Sequence, residues 1–378
     1  STSIVYAQEG AWSGELDIQG QKLPLVFHFD KDGCTFDSPT QGAKGIKAQK
    51  SYTQDGKVKI DIPSIGAVFE GAMVMKIIAG TFSQSGLQFP LTLKPGAPVP
   101  NRPQMPKAPF PYTTEEVSFL NDGFTLNGTL TLPEGYTKQT PVMVMVTGSG
   151  MQNRDEEIMD HHPFAVIADA LARQGIATMR FDDRGWGYKD FHHLDYTITD
   201  HKGDAESGIK LMRKRFEHVG VIGHSEGGTI ALMLGSEGTA DFCISLAGMA
   251  VSGKETLLEQ NRTMLKAYNL PEEIVTAYCE ELAKAYDALA ADKPAEEIDD
   301  RRVPEVLRAN FNAALVQLST PYMRDLLKTD IRKNLLKVRC PVLALNGKLD
   351  MQVDYAANLS AIDNGLKNSR HETVSYDG

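Results

Sequence analysis

Over residues 1–94, short apolar runs alternate with polar positions. Leu23 to Phe29 and Val58 to Ile62 place apolar side chains at about every second residue, the pattern of a strand with one face buried. Shorter runs of the same kind lie at Leu16 to Ile18, Val68 to Phe69, Met73 to Ile78 and Phe89 to Leu93. Turn-forming pairs such as Asp32-Gly33, Asp55-Gly56 and Ser85-Gly86 separate them. No long helical period occurs here. The pattern predicts a small all-β domain, a sandwich or a barrel. Seven prolines from Pro95 to Pro111 then favour an extended, semi-rigid spacer, so residues 95–112 read as a linker.

From residue 113 the period changes. Val117 to Leu120 and Phe124 to Leu132 flank Asn121-Asp122-Gly123 and predict a hairpin. Val142 to Val146 is continuously apolar, as a strand buried on both faces must be. Helical stretches at 164–173, 204–215 and 229–234 alternate with strands at 176–181, 219–223 and 242–246. Such alternation predicts an α/β domain over 113–378, with a mostly parallel sheet covered by helices. Between residues 252 and 336 the pattern is helical almost throughout, and a strand resumes at Val342 to Asn346. A helical insertion between two strands is placed to form a lid, or else a packing appendage.

Composition narrows the function. The 378 residues carry 39 Lys and Arg against 49 Asp and Glu, a net charge of −10. A nucleic-acid partner calls for a basic face, which this balance disfavours. No apolar run reaches the ~18 residues of a membrane span. The four cysteines form no C-x-x-C pair, and Cys243 and Cys340 read as buried free thiols. Val5-Tyr6-Ala7 before Gln8 would fit the end of a signal peptide, which leans toward an exported protein.

The strongest chemical signal is Gly223-His224-Ser225-Glu226-Gly227, a G-x-S-x-G motif between an apolar strand and a helix. A tight turn there holds the serine exposed in a strained conformation, and flanking glycines let backbones pack closely. The start of the helix adds free N–H groups near a reacting oxygen. Gly148-Ser149-Gly150-Met151 ends an earlier strand, where glycines let amides turn toward an anion. The charged stretch Arg180 to Gly187 reads as loop support. Asp350 follows the strand ending near Asn346, where a triad acid would sit. Asp354 is the fallback, or a helix cap.

On these motifs the second domain resembles the α/β-hydrolase superfamily, close to bacterial serine carboxylesterases that carry a small N-terminal β domain. The resemblance implies Ser225 as nucleophile, Asp350 as triad acid, and an oxyanion hole from the amides of Gly150 or Met151 and of Glu226. No cofactor or metal is implied. The order Ser, Asp, His leaves His371 as the histidine after Asp350. It opens the last strand, about 17 Å from the end where catalytic groups gather, at ~3.3 Å per residue. The base is therefore expected beyond Gly378. His161, His162, His192, His193 and His201 read as surface or loop histidines, and His224 as pointing away from its neighbour.

The expected activity is hydrolysis of small-molecule carboxylic esters with short acyl chains, through an acyl-enzyme. A peptidase, an acyl transferase or a thioesterase would use the same residues. A binding protein with an inactive hydrolase domain is the alternative of a different class. It would need an aromatic platform on the β domain, to which Trp12 and Phe36 contribute little.

Overall fold

Period-two alternation builds eight strands in the first part of the chain. They are β1 (Gly10–Ile18), β2 (Gln21–Phe29), β3 (Cys34–Ser38), β4 (Ala43–Tyr52), β5 (Val58–Ile62), β6 (Ala67–Val74), β7 (Ile77–Gln84) and β8 (Leu87–Pro95). Each pairs antiparallel with the next, and β1 closes on β8 through Trp12 and Pro95, so the sheet is a barrel without an open edge. The inward positions fill it with side chains: Phe27, Ile60, Ile62, Phe69, Ile78 and Leu93 are wholly buried. Phe27 packs on Phe36 and Phe69 at ring separations of 5.3 and 5.8 Å. Trp12 and Phe36 are both core residues of this barrel. Neither side chain is available to an external aromatic platform.

The structure, a computed structural model, describes residues 9–18, 20–31, 33–98 and 102–377. The Val5 to Gln8 segment, Asp32, linker residues 99–101 and Gly378 lie outside the described residues. The chain divides into two compact units, Ser1–Pro103 with Ile158–His161, and Gln104–Glu157 with His162–Gly378.

The second unit opens with a hairpin of β9 (Tyr112–Asn121) and β10 (Phe124–Pro133). Its two turn residues, Asp122 and Gly123, both have positive φ (51° and 82°). That is the turn whose twist matches paired strands, and an Asp-Gly pair adopts it readily. Then follow β11 (Val142–Val146), α1 (Pro163–Arg173), β12 (Ala177–Phe181), α2 (Ile198–Met212), β13 (Val219–His224), α3 (Glu226–Ser236) and β14 (Cys243–Leu246). Five helices come next: α4 (Gly253–Ala267), α5 (Glu272–Ala290), α6 (Glu305–Leu318), α7 (Pro321–Lys328) and α8 (Arg332–Leu335). The sheet resumes with β15 (Val342–Gly347), α9 (Tyr355–Gly365) and β16 (His371–Tyr376).

The sheet order is β9-β10-β12-β11-β13-β14-β15-β16, with β10 antiparallel to both its neighbours and the remaining pairs parallel. β11 explains its own sequence. Val142, Val144 and Val146 join one core, while Met143 and Met145 join another with Phe164 and Ile222. Both faces are covered, so both must be apolar. The order reverses at β11, which has β12 on one side and β13 on the other. Crevices form beyond the carboxyl ends of strands at such a point. The loops that follow β11 and β13 meet there.

Helix α2 starts earlier than the expected residue 204. Thr197 and Asp200 form a reciprocal capping box at its start, which extends the helix through a polar first turn. The inserted helices have a core of their own around Val275, Leu282, Tyr286 and Phe311. Cys243 is buried, but Cys340 is only half-buried, with its Sγ 3.8 Å from that of Cys243.

Candidate active site

Strand β13 delivers the chain into a turn where Ser225 takes φ 53° and ψ −115°. A non-glycine residue holds that conformation only when its surroundings dictate it. They do so here by close packing. A Cβ on Gly223 would lie 1.9 Å from the Gly227 carbonyl oxygen, and one on Gly227 would lie 2.1 Å from that of Val146. Helix α3 therefore crosses β11 and β13 at a distance only glycine permits. The Ser225 amide donates to the Leu246 carbonyl at 2.8 Å, which ties the turn to β14. Gly227→Ala should cost about 3 kcal/mol or more, since backbone carbonyls cannot step aside as a side chain can. A urea unfolding midpoint equal to wild type would contradict this packing account.

The loop after β11 is pinned at two points. The Gly148 amide donates to Glu156 Oε1 at 2.6 Å, and the Gln152 amide to Asp183 Oδ2 at 2.7 Å. Between these anchors the amides of Ser149, Gly150 and Met151 have no acceptor among the described residues, and neither does that of Glu226. Backbone donors left over in this way are what an anion site needs. Asp182 supports the same loop by a paired contact with Arg154, and Arg184 grips Asp204. The Arg180 to Gly187 stretch thus ties loops together.

A cavity of about 410 Å³ opens at this point. Ser149, Ser225 and Glu226 form its floor, and residues of α4, α5, α6 and α7 form most of its wall, with Gln352 and Val353 closing one side. Gly150 and Met151 follow Ser149 in the loop and are not part of the wall. The Ser225 hydroxyl has no hydrogen-bond partner among the described residues.

His201 differs from its expected placement. It lies on α2 and is 1% exposed, not on a surface or loop. Its Nδ1 sits 3.0 Å from Glu226 Oε1, and its Nε2 lies 3.5 Å from both Asp183 Oδ1 and Thr147 Oγ1. Tyr322 from α7 donates to Glu226 Oε2 at 2.6 Å. Neither His201 nor Tyr322 stood out in the sequence. Tyr322 is 96 residues from Glu226, and no local pattern marks such a pairing.

Burial pushes Asp183 up to about 7, opposed by His201 and by its two hydrogen-bond donors. Burial alone would lower His201, but the Asp183 and Glu226 carboxylates raise it above the ordinary 6.5. Both shifts favour the protonated form in the fold. The folded state thus holds extra protons from the ordinary aspartate value of 3.8 up to about 7 at Asp183, and above 6.5 at His201. Stability should therefore fall as pH rises from about 5 to 8, by at most ~1.4 kcal/mol per pH unit for each proton. Urea midpoints measured across that range check this, and a steady rise with pH would contradict it.

Asp350 lies just past the carboxyl end of β15. Its Oδ1 accepts from the amides of Gln352 and Val353 at 2.8 and 3.0 Å, and its Oδ2 has no partner among the described residues. Asp354 caps α9 by accepting from the Ala357 amide at 2.7 Å. His224 is exposed, with Nδ1 2.9 Å from Glu156 Oε1. That bond raises its pKa, and the nearby Asp350 charge adds to the effect. His371 pairs in register with Val342 at the start of β15 and contacts Asp363 at 3.1 Å. It sits at the opposite end of the sheet from Ser225.

A family model described as serine aminopeptidase, S33 (Hydrolase_4) matches residues 160–378, more than half of the chain. The chain belongs to the S33 hydrolase family. A stretch of 163 residues is 29% identical to Esterase EstD of Thermotoga maritima, covering 42% of this chain and 38% of EstD. The match thus spans well under two thirds of that relative's length. Est1E from Butyrivibrio proteoclasticus is similar at 16% identity and a TM-score of 0.42, over 69% of this chain and 89% of that one. The Pyrococcus furiosus esterase PF2001 is similar at 15% identity and a TM-score of 0.45, over 71% and 82%. The S33 match takes in β13 with its elbow, the inserted helices and Asp350. Among the described residues of this S33 chain, no helix is long and apolar enough to cross a membrane.

Proposed function

We propose that the protein is a serine esterase acting on uncharged small-molecule esters. The observation that carries this reading is the strained Ser225, whose unpartnered hydroxyl opens into a cavity floored by amides without acceptors. Ser225 attacks the ester carbonyl, the alcohol leaves, and water then releases the acid from the acyl-enzyme. The amides of Glu226 and of the Ser149 to Met151 segment stabilise the oxyanion. Ser149 is the loop residue best placed, because it shares the cavity floor with Ser225. Each such donor contributes about 3–4 kcal/mol where it has been measured.

Asp350 is the acid that orients the base, with Oδ2 free to accept an imidazole N–H. The base in this reading is a histidine carried beyond β16, on the loop that this strand leads into. The helices α4 to α7 act as a lid over the cavity into which Ser225 opens.

The S33 description raises an aminopeptidase as the second reading. Such an enzyme must hold the α-ammonium of its substrate, which calls for a carboxylate in the wall. Among the described residues that line the cavity Glu226 supplies the one carboxylate, and His201 and Tyr322 already occupy both its oxygens. The wall instead offers Gln260, Asn261, Gln317 and Gln352 among apolar side chains, which suits a neutral ester. Turnover of short p-nitrophenyl esters, with aminoacyl p-nitroanilides left intact, tests the choice. Cleavage of the anilides without ester turnover would overturn it.

A further inference from the structure

We propose that the hydrogen-bonded chain Tyr322–Glu226–His201 is a positioning device that holds the two oxyanion-donor segments in register. This rests on the reading of Ser225 as nucleophile. An acidic side chain in the first turn of a helix normally stays in water, where it meets the helix dipole. Glu226 instead is 8% exposed, and both carboxylate oxygens are engaged by partners from two other helices. His201 reaches it from α2 and Tyr322 from α7.

The chain continues past His201. Its Nε2 faces Asp183, and Asp183 accepts from the Gln152 amide, the anchor at the far end of the oxyanion loop. Asp183 also accepts from the Thr147 hydroxyl at 2.7 Å, at the near end of that loop. One connected path therefore runs from the inserted helix α7, through the residue after the nucleophile, to both ends of the other donor segment. A buried polar network with its members satisfied is rigid, and the same network half satisfied is costly.

The chemistry fixes each role. The Tyr322 proton is committed to Glu226, so this hydroxyl does not serve as an oxyanion donor itself. A lone carboxylate beside Ser225 would repel a developing oxyanion. Flanked by the His201 imidazole and the Tyr322 hydroxyl, Glu226 presents a compensated charge, while its own amide has no acceptor among the described residues. Tyr196 packs on the His201 ring at 5.2 Å and donates to Asp204 at 3.0 Å, and Arg184 neutralises Asp204, so the remaining charges around His201 are already paired. The inserted helices thereby gain a direct bond to the elbow, and closing them over a substrate would set the donor geometry.

The test uses the full-length protein. Fluorophosphonate labelling of the wild type is read first, because absence of an adduct would remove the Ser225 reading itself. Tyr322→Phe is then expected to lower kcat and the labelling rate constant together by about tenfold, with KM within about twofold, as a transition-state defect requires. Glu226→Ala is expected to lower both by about 100-fold, and Glu226→Gln, which keeps an acceptor for Tyr322, by less. The double variant Glu226→Ala with Tyr322→Phe should be no worse than Glu226→Ala alone, because both cut one chain. Three results would overturn the proposal. They are a Tyr322→Phe enzyme with unchanged kcat and labelling, a loss confined to KM, or single effects that multiply in the double variant. A lowered unfolding midpoint with wild-type kcat would count against it equally, since it leaves Tyr322 a packing role alone.

Discussion

Asp350→Asn should lower kcat by about 10⁴-fold, while Asp354→Ala should leave kcat within about twofold of wild type. The two carboxylates are four positions apart, and the fold gives them different work. Asp354 spends its Oδ1 on the first turn of α9. Its loss weakens a helix start by about 1 kcal/mol and does not reach the cavity. Asp350 fixes one oxygen on two amides and leaves the other free beyond β15. An asparagine there keeps the shape but loses the charge that, in the proposed mechanism, orients an imidazole and stabilises its protonated form. Ester turnover and urea midpoints of the two variants should therefore move in opposite ways. Equal kcat losses in both would remove Asp350 from the triad.

Ser225→Ala should abolish ester turnover, with a loss on the order of 10⁶-fold in kcat where such a nucleophile acts in a triad. The substitution leaves the fold intact, because Ser225 contributes no side-chain hydrogen bond among the described residues. It removes one hydroxyl from the cavity floor, at a turn already held by Gly223, Gly227 and the Leu246 carbonyl. Alanine in this strained turn pays the same backbone cost as serine. Far-ultraviolet circular dichroism and the unfolding midpoint should match wild type. Residual ester turnover above a tenth of wild type would show that another group attacks the ester.

The sequence carried those parts of the molecule that geometry enforces residue by residue. The spacing of Gly223 and Gly227 around Ser225 is legible because a Cβ at either position would strike a carbonyl. The Asp122-Gly123 turn is legible because both residues adopt positive φ. The apolar run of β11 is legible because two cores press on it from opposite faces.

What stayed hidden depends on distant partners. Strand β4 has no fully buried position, and its inward Ile46, Ala48 and Tyr52 are only partly buried among lysines, so its sequence lacks the strongly apolar runs that marked its neighbours. The start of α2 is polar, and its capping box reads as a loop until the helix is seen. His201 resembles any polar-segment histidine, yet the approach of Asp183 and Glu226 buries it. The proposed loop donor is a subtler case. Glycine content drew the reading toward Gly150 and Met151, whereas Ser149 lies on the cavity floor, because the carboxylates of Glu156 and Asp183 set where the loop turns.

The measurement that bears most directly on the account is intact mass after treatment with a fluorophosphonate, on full-length protein from the native gene. One stoichiometric adduct is expected, located on Ser225 by peptide mapping and absent in Ser225→Ala. A wild-type protein that turns over no ester and takes no adduct, while remaining folded, would contradict it.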